Sequence, residues 1–206
     1  MHIRINEVTV SPTRVDELGE VLENKAVPVV LALPGCQGLL CSADRATGSC
    51  TIVTRWDSRE SLEASEKDVA SIRSETVDAV DAQLNRLWIA EILREVVASP
   101  PKVGSRVRMV RVRGGAGSAD QMLAFYGDEA LPLLQAQPGF LSSRLIRDVA
   151  EVRSFAAVSH WADAAALEAS DARSAALREL ISERVPGTSI EGVSTAEVIL
   201  AELRSS

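Results

Sequence analysis

The segment Ala26-x-Pro28-x-x-x-Ala32-x-Pro34-Gly35 recurs as Ala130-x-Pro132-x-x-x-Ala136-x-Pro138-Gly139, 104 positions later. Trp56-Asp57-Ser58-Arg59-Glu60-Ser61-Leu62-Glu63-Ala64-Ser65 is echoed 105 positions on by Trp161-Ala162-Asp163-Ala164-Ala165-Ala166-Leu167-Glu168-Ala169-Ser170. Ala90-Glu91-Ile92-Leu93 pairs with Ala196-Glu197-Val198-Ile199 at an offset of 106. Three matches in one order, with so little drift, mean two copies of one unit. A period this long is domain duplication and not a solenoid. It divides the 206 residues into 1–98 and 106–206, with 99–105 as a linker. Pro100-Pro101 makes that linker short and stiff, so the units are expected to touch.

Each copy reads as the same string of elements. Ile3–Val10 alternates and is β-branched, as a strand requires. Ser11-Pro12-Thr13 starts a helix whose apolar stripe is Val15, Leu18, Leu22, Val29 and Leu33. Pro28 interrupts that stripe. Asn24, and Asp128 in the second copy, stand four residues before the proline, so the helix is expected to restart there with an Asx cap. Pro34-Gly35 ends it. Gly38–Ser42 and Cys50–Trp56 read as strands, Asp57 or Ser58 caps a second helix, and Trp88–Val97 is a last strand. The second copy gives Val107–Arg113, a helix over 118–137, Phe140–Ile146, Arg153–Trp161, a helix over 163–183 and Thr195–Leu203. The order β-α-β-β-α-β is the ferredoxin-like split βαβ, with both helices on one sheet face. The predicted fold is α+β: two tandem ferredoxin-like units packed by their uncovered faces as an intrachain pseudo-dimeric barrel. Whole chains could pair further as a homodimer.

Charge and cysteine content narrow the function. Residues 1–98 carry 10 basic and 16 acidic side chains, and residues 99–206 carry 12 and 13. Neither unit builds the positive field that nucleic-acid binding needs. The one basic cluster, Arg106, Arg108, Arg111 and Arg113, is divided between two strand faces by alternation and reads as a solvated strand end ahead of an anion site. The longest apolar run, Ala26 to Leu33, falls far short of the ~20 residues of a membrane helix, and Met1–Glu7 lacks a signal-peptide core. A cytoplasmic location is expected. Cys36, Cys41 and Cys50 contain no C-x-x-C pair, which argues against zinc or redox use; no metal site is expected. Cys41 and Cys50 flank a turn and could face each other across a hairpin.

The Pro138-Gly139-Phe140 turn and the strand end Ser159-His160-Trp161-Ala162-Asp163 resemble the antibiotic biosynthesis monooxygenase superfamily. Pro34-Gly35-Cys36 and Thr54-Arg55-Trp56-Asp57-Ser58 carry the likeness in the first copy. The resemblance implies a dimeric α+β barrel, here fused in one chain, with a pocket between sheet and helices in each unit. It implies a small-molecule substrate, aromatic or quinol-type, oxidised by O₂ with no cofactor. A barrel that binds a small molecule or serves assembly without catalysis is the alternative. The haem-degrading branch resembles the first unit at Asn6 and Trp56, but supplies an iron-ligating His from the second helix, and residues 58–84 and 163–184 contain none. The polyketide-oxidising branch sets Tyr and Arg near its Trp; the single Tyr here, Tyr126, is on another helix, with no polar counterpart evident in the sequence.

Asn6 and Trp56 are the candidate catalytic residues, with Trp161 and Phe155 as substrate-contacting aromatics. Each Trp either plugs the core or forms a flat pocket wall, and an indole N–H can orient a substrate but not take its proton. Asn6 either ends a strand in water or turns an amide inward, where it could hold a developing enolate. Its counterpart at offset 104 is Val110, so ligand should favour the first unit. His160, next to Trp161, points to the opposite sheet face and reads as a buried structural histidine or a general base. Asp68, Glu75 and Asp78 read as solvated helix residues.

Overall fold

The structure, a computed structural model, describes residues 1–204. Two compact units emerge, Met1–Ala90 with the chain from Ala196 onward, and Glu91–Thr195. In the first, strands β1 (His2–Thr9), β2 (Cys36–Asp44) and β3 (Ser49–Trp56) are joined by the start of a 15-residue strand β4 (Gln83–Val97). The second unit holds β5 (Arg106–Arg113), β6 (Phe140–Asp148) and β7 (Ser154–Trp161), with the start of a second 15-residue strand, β8 (Ser189–Leu203). The hydrogen-bonded order β1-β3-β2-β8-β5-β7-β6-β4 closes on itself as a barrel. It contains the split βαβ order twice, as β4-β1-β3-β2 and β8-β5-β7-β6. The expected α+β barrel of two ferredoxin-like repeats is what forms.

Register repeats as faithfully as sequence. His2 pairs with Trp56 and Arg4 with Thr54; Arg106 pairs with Trp161 and Arg108 with Ser159. A bulge falls at Cys36/Gly38 in β2 and at Phe140/Ser142 in β6. The helix of each Pro-Gly motif ends on a glycine in the left-handed region, Gly35 at φ +80° and Gly139 at φ +75°. A Cβ there would come within 2.4 Å of Ser61 Oγ or of Ala166 Cβ, because each turn docks onto the next helix. Those helices, α3 (Arg59–Ala64) and α7 (Ala164–Ala169), start where expected, with Ser58 accepting from Ser61 N–H at 3.1 Å and Asp163 from Ala166 N–H at 2.9 Å.

The proline-bearing helices correct one expectation. No Asx cap restarts them. Asn24 instead donates its amide N–H back to Glu20 O at 2.8 Å. Between α1 (Val15–Val21) and α2 (Val27–Ala32) lies a π turn, Leu22–Ala26, in which Val27 N–H bonds to Leu22 O five residues back. Between α5 (Ala119–Phe125) and α6 (Leu131–Gln135) the same turn spans Tyr126–Ala130, with Leu131 N–H on Tyr126 O. A proline offers no N–H and its ring clashes with the carbonyl four residues back. The wider turn absorbs both problems without breaking the helix. Such π turns gather at functional sites.

α4 (Glu66–Ala79) and α8 (Asp171–Arg184) complete the helical layer of each unit. The cysteines are free and buried. Cys41 stands opposite Ile52 and Cys50 opposite Ala43, so the two are diagonal neighbours and not a facing pair. Burial pushes both thiols up, that of Cys50 to about 11. No helix among the described residues is long and apolar enough to cross a membrane.

His160 is 2% exposed, with Nδ1 3.1 Å from Ser142 Oγ. Burial first, and Arg144 second, push its pKa down to about 3. The folded state therefore refuses a proton that the unfolded chain accepts below about pH 6.5. Unfolding free energy is expected to fall as pH drops from about 6.5 toward 3, by up to ~1.4 kcal/mol per pH unit from this group. Urea unfolding of the protein and of His160→Gln across that range checks it, and the variant should lose most of the slope.

Candidate functional site

Alternation on β1 sends Arg4, Asn6 and Val8 toward the helices, and there the first unit holds a partly open cavity of about 40 Å³. Its walls are apolar side chains of the π-turn helix, the sheet and α4, with Asn6, Thr54, Arg73 and Thr76 as the polar members. Asn6 is 5% exposed. Its Nδ2 reaches Ile52 O only at 3.5 Å, and its Oδ1 is buried with no partner. Arg73 donates Nη2–H to Glu66 Oε1 at 2.9 Å, while Nη1 is likewise buried and unpaired. Leaving such a group unpaired costs about 1–3 kcal/mol, and more when charged. An unmet donor and an unmet acceptor thus belong to two residues that line one apolar cavity.

Trp56 is fully buried and is not among the residues lining the cavity. Its indole N–H donates to Thr54 Oγ1 at 3.0 Å, and Arg4 lies over its ring at 5.8 Å. Trp161 repeats this, donating to Ser159 Oγ at 3.0 Å and meeting Phe140 edge-on with ring centroids 5.9 Å apart. An indole N–H only donates, so each hydroxyl accepts from it and keeps its own hydrogen for another acceptor. Thr54 and Ser159 do line the cavities. The tryptophans thus orient a hydroxyl at the cavity from behind it. Phe155 is 2% exposed and packs in the second unit's core, away from the cavity lining.

The second unit encloses about 70 Å³ at the equivalent place. Val110 stands where Asn6 does. Tyr126 Oη lies 2.6 Å from Ser143 Oγ, and Ser143 donates to Val158 O at 3.2 Å. Because Ser143 spends its hydrogen on Val158, Tyr126 is the donor of their pair. Burial raises the Tyr126 pKa above its ordinary value, so the phenol stays neutral. Among the described lining residues here, no polar atom is both buried and without a partner. Among the described residues no carboxylate and no histidine lines either cavity. Asp68, Glu75 and Asp78 are exposed on α4, as expected.

Beneath each cavity a buried arginine ties sheet to helices. Arg4 donates to Leu62 O at 2.7 Å and Ser65 Oγ at 3.2 Å and pairs with Glu66 at 2.7 Å. Arg108 donates to Leu167 O at 3.0 Å and Ser170 Oγ at 2.7 Å and pairs with Asp171. A guanidinium is well placed here, since the last carbonyls of α3 and α7 carry the negative end of the helix. Arg108, 3% exposed, is therefore not the solvated strand residue expected. It stands on the helix-facing side of β5, with Asp171 as its ion partner.

Residues 1–70 and 106–179 each match the family described as "Antibiotic biosynthesis monooxygenase", together more than half of the chain. The chain belongs to the antibiotic biosynthesis monooxygenase family. An uncharacterised protein of Mycobacterium tuberculosis is 26% identical over 99% of this chain and 86% of its own length. Among solved structures, a predicted monooxygenase from Lactobacillus acidophilus superposes with a TM-score of 0.71 at 12% identity, covering 98% of this chain and 95% of that one. An anthrone oxidase-like protein gives a TM-score of 0.63 at 16% identity, covering 97% and 92%. These likenesses are of fold.

Within this family frame, sequence reading singled out Asn6 but missed Arg73, Thr54, Arg4 and the Tyr126–Ser143 pair. Superposing the two copies carries the missing signal. Arg4/Arg108, Ser65/Ser170 and Arg73/Arg178 are polar in both copies, while Leu22 and Leu39 change together into Tyr126 and Ser143.

Proposed function

We propose that the chain is a cofactor-independent monooxygenase that oxidises an aromatic or quinol-type small molecule in the first unit's cavity. The observation that carries this reading is the buried, unmet pair of Asn6 Oδ1 and Arg73 Nη1 on one apolar cavity. Arg73 and the Thr54 hydroxyl, held by Trp56, supply donors to an oxyanion; Asn6 accepts from a second hydroxyl of the ligand. Such donors favour an ionised substrate, so its proton leaves to solvent as it binds and no side chain need act as base. The electron-rich carbon then reacts with O₂. For a ring methylene the balance is CH₂ + O₂ → C=O + H₂O: the carbon loses two C–H bonds, one oxygen atom stays on it, and the other leaves as water. The substrate supplies every electron.

An engineered closed cavity of ~150 Å³ holds benzene, so a bound ring exceeds the 40 Å³ space and either extends through its open side or displaces the helices. The cytoplasm is the proposed compartment, a reading supported by three free, buried thiols.

A second reading, a barrel that binds without catalysis, is favoured by the cavities' lack of carboxylate and histidine among the described residues. Oxygen-electrode assays with 1,8-dihydroxyanthrone, anthrone and a hydroquinone series separate the two. Uptake of one O₂ per carbonyl formed, unchanged after chelator treatment, is the expected result. Saturable binding of the anthrones with no O₂ uptake would leave only the binding reading.

A further inference from the structure

Glu66 opens α4 with its side chain half exposed, and its two oxygens are divided between two guanidinium groups. Oε2 lies 2.7 Å from Arg4 Nη2, and Oε1 lies 2.9 Å from Arg73 Nη2. Arg4 is 1% exposed and held independently by Leu62 O and Ser65 Oγ, so it is a fixed anchor. Arg73 is seven residues further along the helix. An arginine in that position, left alone, carries its head to water along its apolar stem. Tethered through Nη2, it instead stays among the residues that line the cavity, with Nη1 buried and unpaired. Two cations and one anion leave a net positive charge beside an apolar space. Burial lowers the Arg4 pKa, with Glu66 opposing that shift and Arg73 adding to it, so the three groups act on one another.

The second unit has the same scaffold without the tether. Arg108 keeps its helix carbonyl and its serine, but position 171 is Asp, one methylene shorter. Asp171 pairs with Arg108, and among the described residues no ion pair joins it to Arg178. Ser174, in the place of Val69, adds another partner for Arg108.

We propose that Glu66 determines the first cavity's preference for anionic ligands, by bridging Arg4 to Arg73 and so holding the Arg73 head against the cavity. Asp171 is too short to do this for Arg178. The inference rests on the reading of the first cavity as the substrate site. It assigns Glu66 a positioning role: Glu66 does not line the cavity, and it acts through Arg73.

The probe is 4-nitrophenol, whose neutral and ionised forms differ in colour, titrated into the protein under anaerobic conditions, with 4-nitroanisole as its non-ionising analogue. The wild-type protein is expected to lower the pKa of the bound phenol by about one unit, a tenfold preference for the phenolate. Glu66→Gln, which removes the charge, and Glu66→Asp, which keeps the charge but shortens the reach, should both lose that shift. Neither should weaken 4-nitroanisole binding; Glu66→Gln should lower the thermal midpoint, since it leaves buried Arg4 without its counter-ion, and Glu66→Asp, which keeps the charge as Asp171 does for Arg108, should leave it nearly unchanged. A Glu66→Asp variant that keeps the shift, or a wild-type protein that shows none, overturns the proposal. An intact shift in a protein that never consumes O₂ overturns the oxygenase reading alone and leaves the role of Glu66 standing.

Discussion

Trp56→Ala is expected to lower the unfolding free energy by about 3–5 kcal/mol, and Trp161→Ala by a similar amount. Both side chains are fully buried, and each spends its N–H on a neighbouring hydroxyl at 3.0 Å. Truncation would remove the largest buried side chain of each unit and leave Thr54 or Ser159 without its donor. Trp→Phe at either position should cost less, since most of the apolar volume stays while the N–H is lost. Urea unfolding followed by circular dichroism measures both. A loss below about 1 kcal/mol for either alanine variant would mean that the surrounding structure closes over the gap, contrary to the tight packing described.

Arg73→Leu is expected to lower kcat/KM for dihydroxyanthrone oxidation by about 10²–10³, the usual effect of deleting one group that holds a developing oxyanion, and Asn6→Val by about tenfold, the effect of losing one hydrogen bond to a ligand hydroxyl. Asn6→Val writes the second unit's residue into the first. It should also raise stability, because it removes a buried acceptor that nothing satisfies. Val110→Leu and Arg178→Leu, in the second cavity, should leave the rate nearly unchanged. Stopped-flow O₂ consumption with matched unfolding curves tests both halves of this expectation. Activity that survives Asn6→Val, or falls equally with Arg178→Leu, counts against a one-unit site.

How much of this was legible in the sequence differs between fold and site. Repeats, Pro-Gly helix ends and Ser/Asp caps are local rules, and they hold here at Gly35, Gly139, Ser58 and Asp163. The π turns were not legible, because a proline announces a disrupted helix but not which hydrogen bonds replace the lost one. Asn6 was visible as a polar residue on an apolar strand. Arg73 was not, although Val69, Ile72, Arg73 and Thr76 form one helical stripe; charged residues on a helix are ordinarily solvated, and that rule prevailed. Arg108 was misplaced for a related reason, since a basic cluster at a strand end is ordinarily solvated, yet it is 3% exposed on the helix-facing side of β5. Trp56 was read as plug or pocket wall, whereas its placement combines burial with the orientation of Thr54. That second role depends on a hydroxyl two residues back on the same strand, which composition alone does not reveal.

The central claim is that the first cavity, through Asn6 Oδ1 and Arg73 Nη1, is where the ligand's oxygens are held. Diffraction from crystals grown anaerobically with 1,8-dihydroxyanthrone tests it most directly. The account predicts ligand density in the first cavity, with one ligand oxygen within hydrogen-bond distance of Arg73 and another within that distance of Asn6. Density confined to the second cavity beside Tyr126, or a first cavity occupied with Asn6 and Arg73 still unpaired, would contradict it.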